Sequence, residues 1–256
     1  MRGPDELRAL VEEYLGELAL TPELGGLEEP VRYALAGGGK RIRPVLCLAT
    51  GEALGRAPEE LLPAGAAVEL VHTFSLVHDD LPALDDDETR RGRPSVWARY
   101  GQGVAVIAGD ALLGEAFRLA LSYSTPSVAR ELATATLGMI GGQHLDLSGP
   151  AADVTELNRL KTGQLFGAAV GCALRVAEVP EREQAAWRAF AAELGLLFQA
   201  VDDVLDGDGV VLTHGRDGAR ALADEAAVRA RAHLAEVEAD TSVLAELTDE
   251  VAARTS

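Results

Sequence analysis

Lysine is almost missing from this chain. Of its 23 basic residues only Lys40 and Lys161 are lysine, and all the rest are arginine. Cysteine is as scarce. Cys47 and Cys172 stand alone in apolar helical text, which excludes a disulfide-built fold and predicts buried reduced thiols, a disulfide being the other reading. Aromatic residues make up only 4%, so the core must be filled by the alanines and leucines that dominate the 48% hydrophobic fraction. No excess of positive charge exists. A net charge of −18 argues against nucleic acid or an anionic membrane as a standing partner. The opening MRGPDELRAL lacks an apolar signal-like segment, and no uninterrupted apolar run is long enough to span a bilayer, so no stable membrane association is expected. No Pro/Ser-rich linker, charge block or repeat divides the 256 residues, and one domain over 1–256 is expected.

Sustained two-residue alternation is also lacking, and what is present is helix. Leu7, Leu10, Val11, Tyr14, Leu15 and Leu18 recur at the helical period. The spacing predicts further helices over about 27–35, ended by Gly37–Gly39, and over 44–54, opened by Pro44. A long apolar helix then leads to Asp79. Others are expected over about 104–122, 127–147, 155–176, 181–205, 216–239 and 241–253, punctuated by Pro126, Pro150 and Pro180. The fold class is therefore all-α.

The long apolar helix delivers five aspartates, Asp79, Asp80, Asp85, Asp86 and Asp87, followed by Arg90, Arg91 and Arg93. Carboxylates emerging from an apolar helix are costly to bury unless a cation or donor sits against them. Asp85 lies six positions beyond Asp79, a poor fit to one helix face. Pro82 predicts a helix end near Leu81, which would swing Asp85 back beside Asp79. A second acidic helix reads FQAVDDVLD, where Asp202 and Asp206 share a face and Asp203 adjoins them. Each run alone has a bland reading as a solvated acidic segment. Together they are best explained by two helices facing each other across a metal-filled cavity, and hard oxygen ligands that share the ion with phosphates suit Mg²⁺. GGGKRIRP, a glycine turn leading into Lys40, Arg41 and Arg43, suits an anion.

In order from Gly37 to Asp206, the segments GGGKRIRP, VHTFSLVHDDLPALDDDETRRGRP, AGDALL, GGQHLDL, KTGQL and FQAVDDVLD resemble the trans-isoprenyl diphosphate synthases, the polyprenyl synthetase family. The resemblance implies the isoprenoid synthase fold, ten or more helices around a central metal–diphosphate cavity. It implies Mg²⁺ held by Asp79, Asp85 and Asp202, with Asp80, Asp203 and Asp206 as direct or supporting ligands. Lys40, Arg43, His72 and Arg91 would hold isopentenyl diphosphate. Arg90, Lys161 and Gln199 would contact the allylic diphosphate, and Lys161, Thr162 and Gln199 would stabilise the allylic cation. It also implies a cytoplasmic homodimer. His78, His214 and His233 receive no role.

Phe74, five residues before Asp79, is an aromatic at the tunnel floor, with Ser75 beside it. Together with the Leu81-Pro82 insertion this resembles farnesyl-forming members, so a fifteen-carbon product is expected, with a twenty-carbon product as the alternative. A class I terpene cyclase would need no isopentenyl site, and a non-catalytic subunit of a heteromeric synthase would typically lose one aspartate motif. One departure stands out. The lysine that the family usually carries after the second aspartate motif is missing from GDGVVLTHGRDGARALADEA, where only Arg216 or Arg220 offers a substitute.

Overall fold

The computed structural model describes residues 1–147 and 159–255. It is all-α apart from one small hairpin. Among the described residues the elements are α1 (Pro4–Glu17), a 3₁₀ turn (Pro22–Leu27), α2 (Glu28–Leu35), α3 (Ile42–Ala53), α4 (Pro58–Asp79), strands β1 (Thr89–Arg90) and β2 (Arg93–Pro94), α5 (Val96–Tyr100), α6 (Gln102–Ala120) and α7 (Ser127–Leu147). After a π-helical turn (Arg159–Gly163) come α8 (Gln164–Val176), α9 (Ala185–Asp206), α10 (Val210–Ala235) and α11 (Ser242–Ala252).

Helix α4 is the axis of the bundle, touched by α1, α2, α3, α6, α7 and α8. Its residues from Ala64 to Val71 are buried without interruption, so it shows no polar face. The sequence reading found no run fit to cross a membrane. Among the described residues α4 does pass that test by length and composition, and most of it is buried inside the bundle. Its apolarity is that of a core element enclosed by other helices.

Pro63 sits inside α4, where a missing N–H and a clashing ring open the helical ladder. Tyr123 repairs the gap from outside. Its hydroxyl donates to the Glu60 carbonyl at 2.8 Å and accepts from the Ala64 N–H at 3.1 Å. Burial raises the phenol's pKa, so the group stays protonated and able to donate.

The structure corrects several expected details. The hairpin, pairing Thr89 with Pro94 and Arg90 with Arg93, was not foreseen because two-residue strands carry no alternation. Helix α10 begins at Val210, six residues before the expected start, and Gly215 breaks it with φ 69°. Residues Glu181–Glu183 form a 3₁₀ turn, and α9 starts only at Ala185. The long helix ends at Asp79 with Asp80 as its cap, so the break expected near Leu81 is present, two residues early. Pro150 and the expected helix start at Thr155 lie outside the described residues. Both cysteines are free and buried, and burial pushes the Cys47 thiol up to about 12.

Tyr123→Phe removes both halves of the α4 repair at once. The expected loss is about 1–3 kcal/mol. It should appear as a lower urea midpoint at unchanged slope; an unaltered midpoint would show that water replaces the hydroxyl at no cost.

Candidate active site

The last turn of α4, the start of α3, α6, α7, the π-helical turn and α9 enclose a cavity of about 880 Å³. Asp79 and Asp202 line it from different helices. Lys40, Arg43, His72, Arg90, Arg91, Lys161 and Thr162 also line it, as do Phe74 and Ser75. Asp80, Asp85, Asp203, Asp206 and Gln199 are not among its lining residues.

The turn after α4 does what Pro82 predicts. The Asp85 N–H donates to the Asp79 carbonyl at 2.9 Å, the Asp86 N–H to Leu81 and the Asp87 N–H to Asp80. Asp85 is thereby folded back beside Asp79, with its side chain exposed. Burial is the main cause that lifts the Asp79 carboxyl to about 6; Lys161 opposes the rise and Asp85 adds to it. Asp80, only 2% exposed, points the other way. Arg90 of the hairpin grips it through Nε at 2.9 Å and through Nη2.

The second acidic helix divides the same labour. Asp202 faces the cavity, where burial raises its pKa and Arg254 Nη2 lies 3.3 Å from its carboxylate. Asp203, 3% exposed, accepts from Gln199 Nε2 at 2.6 Å and from the Val210 N–H at 2.9 Å. It thus ties α9 to the first turn of α10. Asp206 is exposed.

Cations crowd the opposite wall. Arg41 adopts a left-handed conformation, φ 46°, at the start of α3. This turns its guanidinium onto Glu69 at 2.7 Å, Glu12 at 2.8 Å and the Leu35 carbonyl, so Arg41 is spent on the core. Arg43 is buried over the faces of Phe166 and Phe198, 5.0 and 5.7 Å from their centroids, and its Nε meets no acceptor among the described residues. Arg91 reaches the Gly38 carbonyl. Burial and the neighbouring Arg43 and Arg91 push His72 well below its ordinary range, so it is a neutral imidazole.

The π-helical turn supplies Lys161 and Thr162. It lies directly on α7 at Gly142, where an added Cβ would stand 2.6 Å from the Lys161 nitrogen. That close approach accounts for the second glycine of GGQHLDL; a Cβ at Gly141 would meet nothing. Lys161 Nζ pairs with Asp146 at 2.5 Å, and Thr162 Oγ1 donates to Gln199 Oε1 at 2.5 Å. Gln199 therefore has both ends of its amide engaged, by Thr162 and Asp203.

Polar residues to which the sequence assigns no site role also line the cavity, among them His78, Asp110, Gln143, His144 and Arg254. Neither Arg216 nor Arg220 takes the place of the family's lysine after Asp206. Arg216 instead caps the Val204 carbonyl at 2.7 Å, and Arg220 is exposed. Arg254, following α11, is the cation at the second acidic helix, and its Cζ lies 5.2 Å from the Phe198 centroid. No local motif surrounds Arg254, so only tertiary folding reveals it. Among the described residues no three carboxylate, His or Cys side chains converge closely enough to form a protein-only metal cage. The donor set suits a hard cation that shares its shell with a phosphate ligand.

The polyprenyl synthetase family model matches residues 25–245. A geranylgeranyl diphosphate synthase of Cyanophora paradoxa is 39% identical over 217 residues, covering 78% of this chain and 72% of that protein. A farnesyl diphosphate synthase of Bacillus subtilis is 38% identical over 198 residues, covering 72% of this chain and 67% of its own length. Among solved structures, an FPP/GFPP synthase from Zymomonas mobilis superposes with a TM-score of 0.86 at 30% identity, covering 97% of this chain and 99% of its own. With its two acidic helices, its cationic wall and a family match over most of its length, the chain belongs to the polyprenyl synthetase family.

Proposed function

We propose that this prenyltransferase condenses isopentenyl diphosphate with dimethylallyl and geranyl diphosphates, using Mg²⁺, to give a fifteen-carbon product. The observation that carries the reading is the pair Asp79 and Asp202, held on different helices in one cavity with a cationic wall beside them. Burial makes ionised Asp79 and Asp202 costly, which a bound cation would relieve, and Lys40, Arg43 and Arg91 offer charge to an anionic substrate.

Asp79 and Asp202 are the ligands we assign to the metal, with Asp85 and Asp206 at hand on the same segments. Asp80 and Asp203 support them from behind, through Arg90 and through Gln199 and Val210. Mg²⁺, when bound, neutralises the leaving diphosphate as a Lewis acid. Lys40, Arg43, His72 and Arg91 orient isopentenyl diphosphate, the neutral imidazole offering an N–H and the guanidiniums charge. Arg90 and Lys161 face the allylic diphosphate. The Thr162 hydroxyl and the carbonyl groups around Lys161 stabilise the allylic cation electrostatically. Gln199 acts through Thr162. The apolar side of the cavity, including Leu113, Met139, Ile140 and Leu165, shields the cation from water. The released diphosphate accepts the final proton. A terpene cyclase would have no use for the Lys40–Arg43–His72 wall.

We also propose a cytoplasmic homodimer. Two free buried thiols agree with a reducing compartment. Val106 and Ile107 of α6 and Leu137 and Ile140 of α7 are exposed, Leu137 by 70% and Ile107 by 51%, which is a surface for a second copy to cover. Leu137→Glu should yield a monomer by light scattering; an intact dimer would place the interface elsewhere.

Asp79→Asn should abolish condensation. It also has a signature without metal. The folded value of about 6 exceeds the ordinary aspartate value of 3.8, so Asp79 begins to cost stability as the pH rises past 3.8, costs its full amount above pH 6, and costs nothing once both states are protonated. The variant should therefore melt higher than the parent at pH 7.5 in a chelator, with the gain shrinking as the pH falls through 6 and gone only below about pH 3.8. Normal turnover in the variant would remove Asp79 from the site.

Phe74 is 7% exposed and lines the cavity, and we take it as the floor that stops chain growth. Phe74→Ala should shift product towards twenty carbons, read by chromatography of the hydrolysed products. An unchanged distribution would move the floor to another residue.

A further inference from the structure

Between the proposed metal ligand Asp79 and the proposed floor Phe74 lies one helical turn, and His78 occupies it. The sequence reading left His78 without a role. In the structure its imidazole is fixed on three sides. Nε2 lies 3.0 Å from the Val106 carbonyl of α6. The ring stands edge to face against Phe74, with centroids 4.8 Å apart and planes at 72°. The third side is Gly109 of α6, where an added Cβ would fall 2.2 Å from Nε2 and 2.4 Å from Cδ2. The imidazole fills the space that the glycine leaves, which accounts for the glycine in the AGDALL segment. Phe74 and His78 both line the cavity.

We infer that His78 is a length-determining residue of this enzyme: clamped between Gly109 and Phe74, it holds the Phe74 ring across the path of the growing chain. This rests on the reading of Phe74 as the floor. The argument is one of side-chain freedom. A Phe on a helix can change χ1 where space opens beside it, and a floor made by one unsupported ring would leak longer products. The edge-to-face contact favours one orientation of Phe74. The hydrogen bond to Val106 and the fit against Gly109 keep the imidazole itself from moving. His78 thus links floor and wall, since Val106 and Gly109 belong to α6 and Phe74 to α4. It touches neither diphosphate in this scheme; it acts through Phe74 as a positioning residue.

The geometry gives two substitutions with opposite signs. His78→Ala removes the support and should raise the ratio of twenty- to fifteen-carbon product at least threefold. Gly109→Ala presses a methyl group against the imidazole and drives it towards Phe74. It should lower that ratio and accumulate ten-carbon intermediate. The double variant should behave as His78→Ala does, because the methyl then has no imidazole to push. Ratios are compared at matched conversion, so a slower enzyme does not mimic the effect. Should a variant turn over too slowly, the affinities for unreactive fifteen- and twenty-carbon thiolodiphosphates supply the same ratio without chemistry. Melting temperature and dimer state are recorded alongside, since a purely structural role would lower stability and leave the ratio alone. Phe74→Ala is the control. If it lengthens the product while both His78→Ala and Gly109→Ala leave the ratio unchanged, the role of His78 is overturned and the floor stands. If Phe74→Ala itself changes nothing, the floor reading fails and this inference fails with it.

Discussion

A helix enclosed on every side cannot end in carboxylates without some arrangement for their charge. That constraint shapes this molecule. Helix α4 runs through the bundle and stops at Asp79-Asp80, and α9 carries Asp202-Asp203 in its last turns before ending at Asp206. Each doublet meets the problem in the same way. The second aspartate turns inward and is neutralised or fully hydrogen-bonded, Asp80 by Arg90 and Asp203 by Gln199 and the Val210 N–H. The first is left facing the cavity with a raised pKa. The inward partner anchors a neighbouring element, the hairpin in one case and α10 in the other. Structural and reactive carboxylates are thus adjacent in sequence and opposite in orientation.

The cationic wall follows the same division. Arg41 caps α3 and Arg43 lies two residues on in its first turn, yet Arg41 serves Glu12 and Glu69 while Arg43 faces the cavity over Phe166 and Phe198. The left-handed backbone at Arg41 separates their directions. Glu69 holds the first arginine from within α4, so the helix that ends in the acidic pair also fixes the base of the basic wall.

Much of this was legible in the chain. The helical period, the glycine stop at Gly37–Gly39 and the break imposed by Pro82 are local properties, and each appears where local chemistry predicts it. The segment holding Asp202 and Asp206 is helical, as its spacing predicts, although only Asp202 of the acidic run lines the cavity. What could not be read is which member of each doublet faces in, because that depends on Arg90 and Val210 arriving from other elements. Arg254 was invisible for the same reason: it lies far along the chain from Asp202 and has no motif around it. Tyr123 gave no signal either, since the break it repairs lies sixty residues earlier, at Pro63, in another helix. His78 was passed over because a lone histidine on an apolar helix has no distinguishing pattern until its neighbours on α6 are known.

Arg254 leaves one consequence for the order of events. Its guanidinium already screens Asp202 and rests on Phe198, whose other neighbour is Arg43. A divalent cation entering at Asp202 would therefore displace one positive charge and bring two. Occupation of that side by Mg²⁺ would leave the local charge one unit more positive, and Arg254 and Lys40, which both act on the Asp202 carboxylate, would be left for an anion. Loading one half of the cavity would in this way prime the other, with no hinge or domain movement, through the transfer of a single side chain between two counterions.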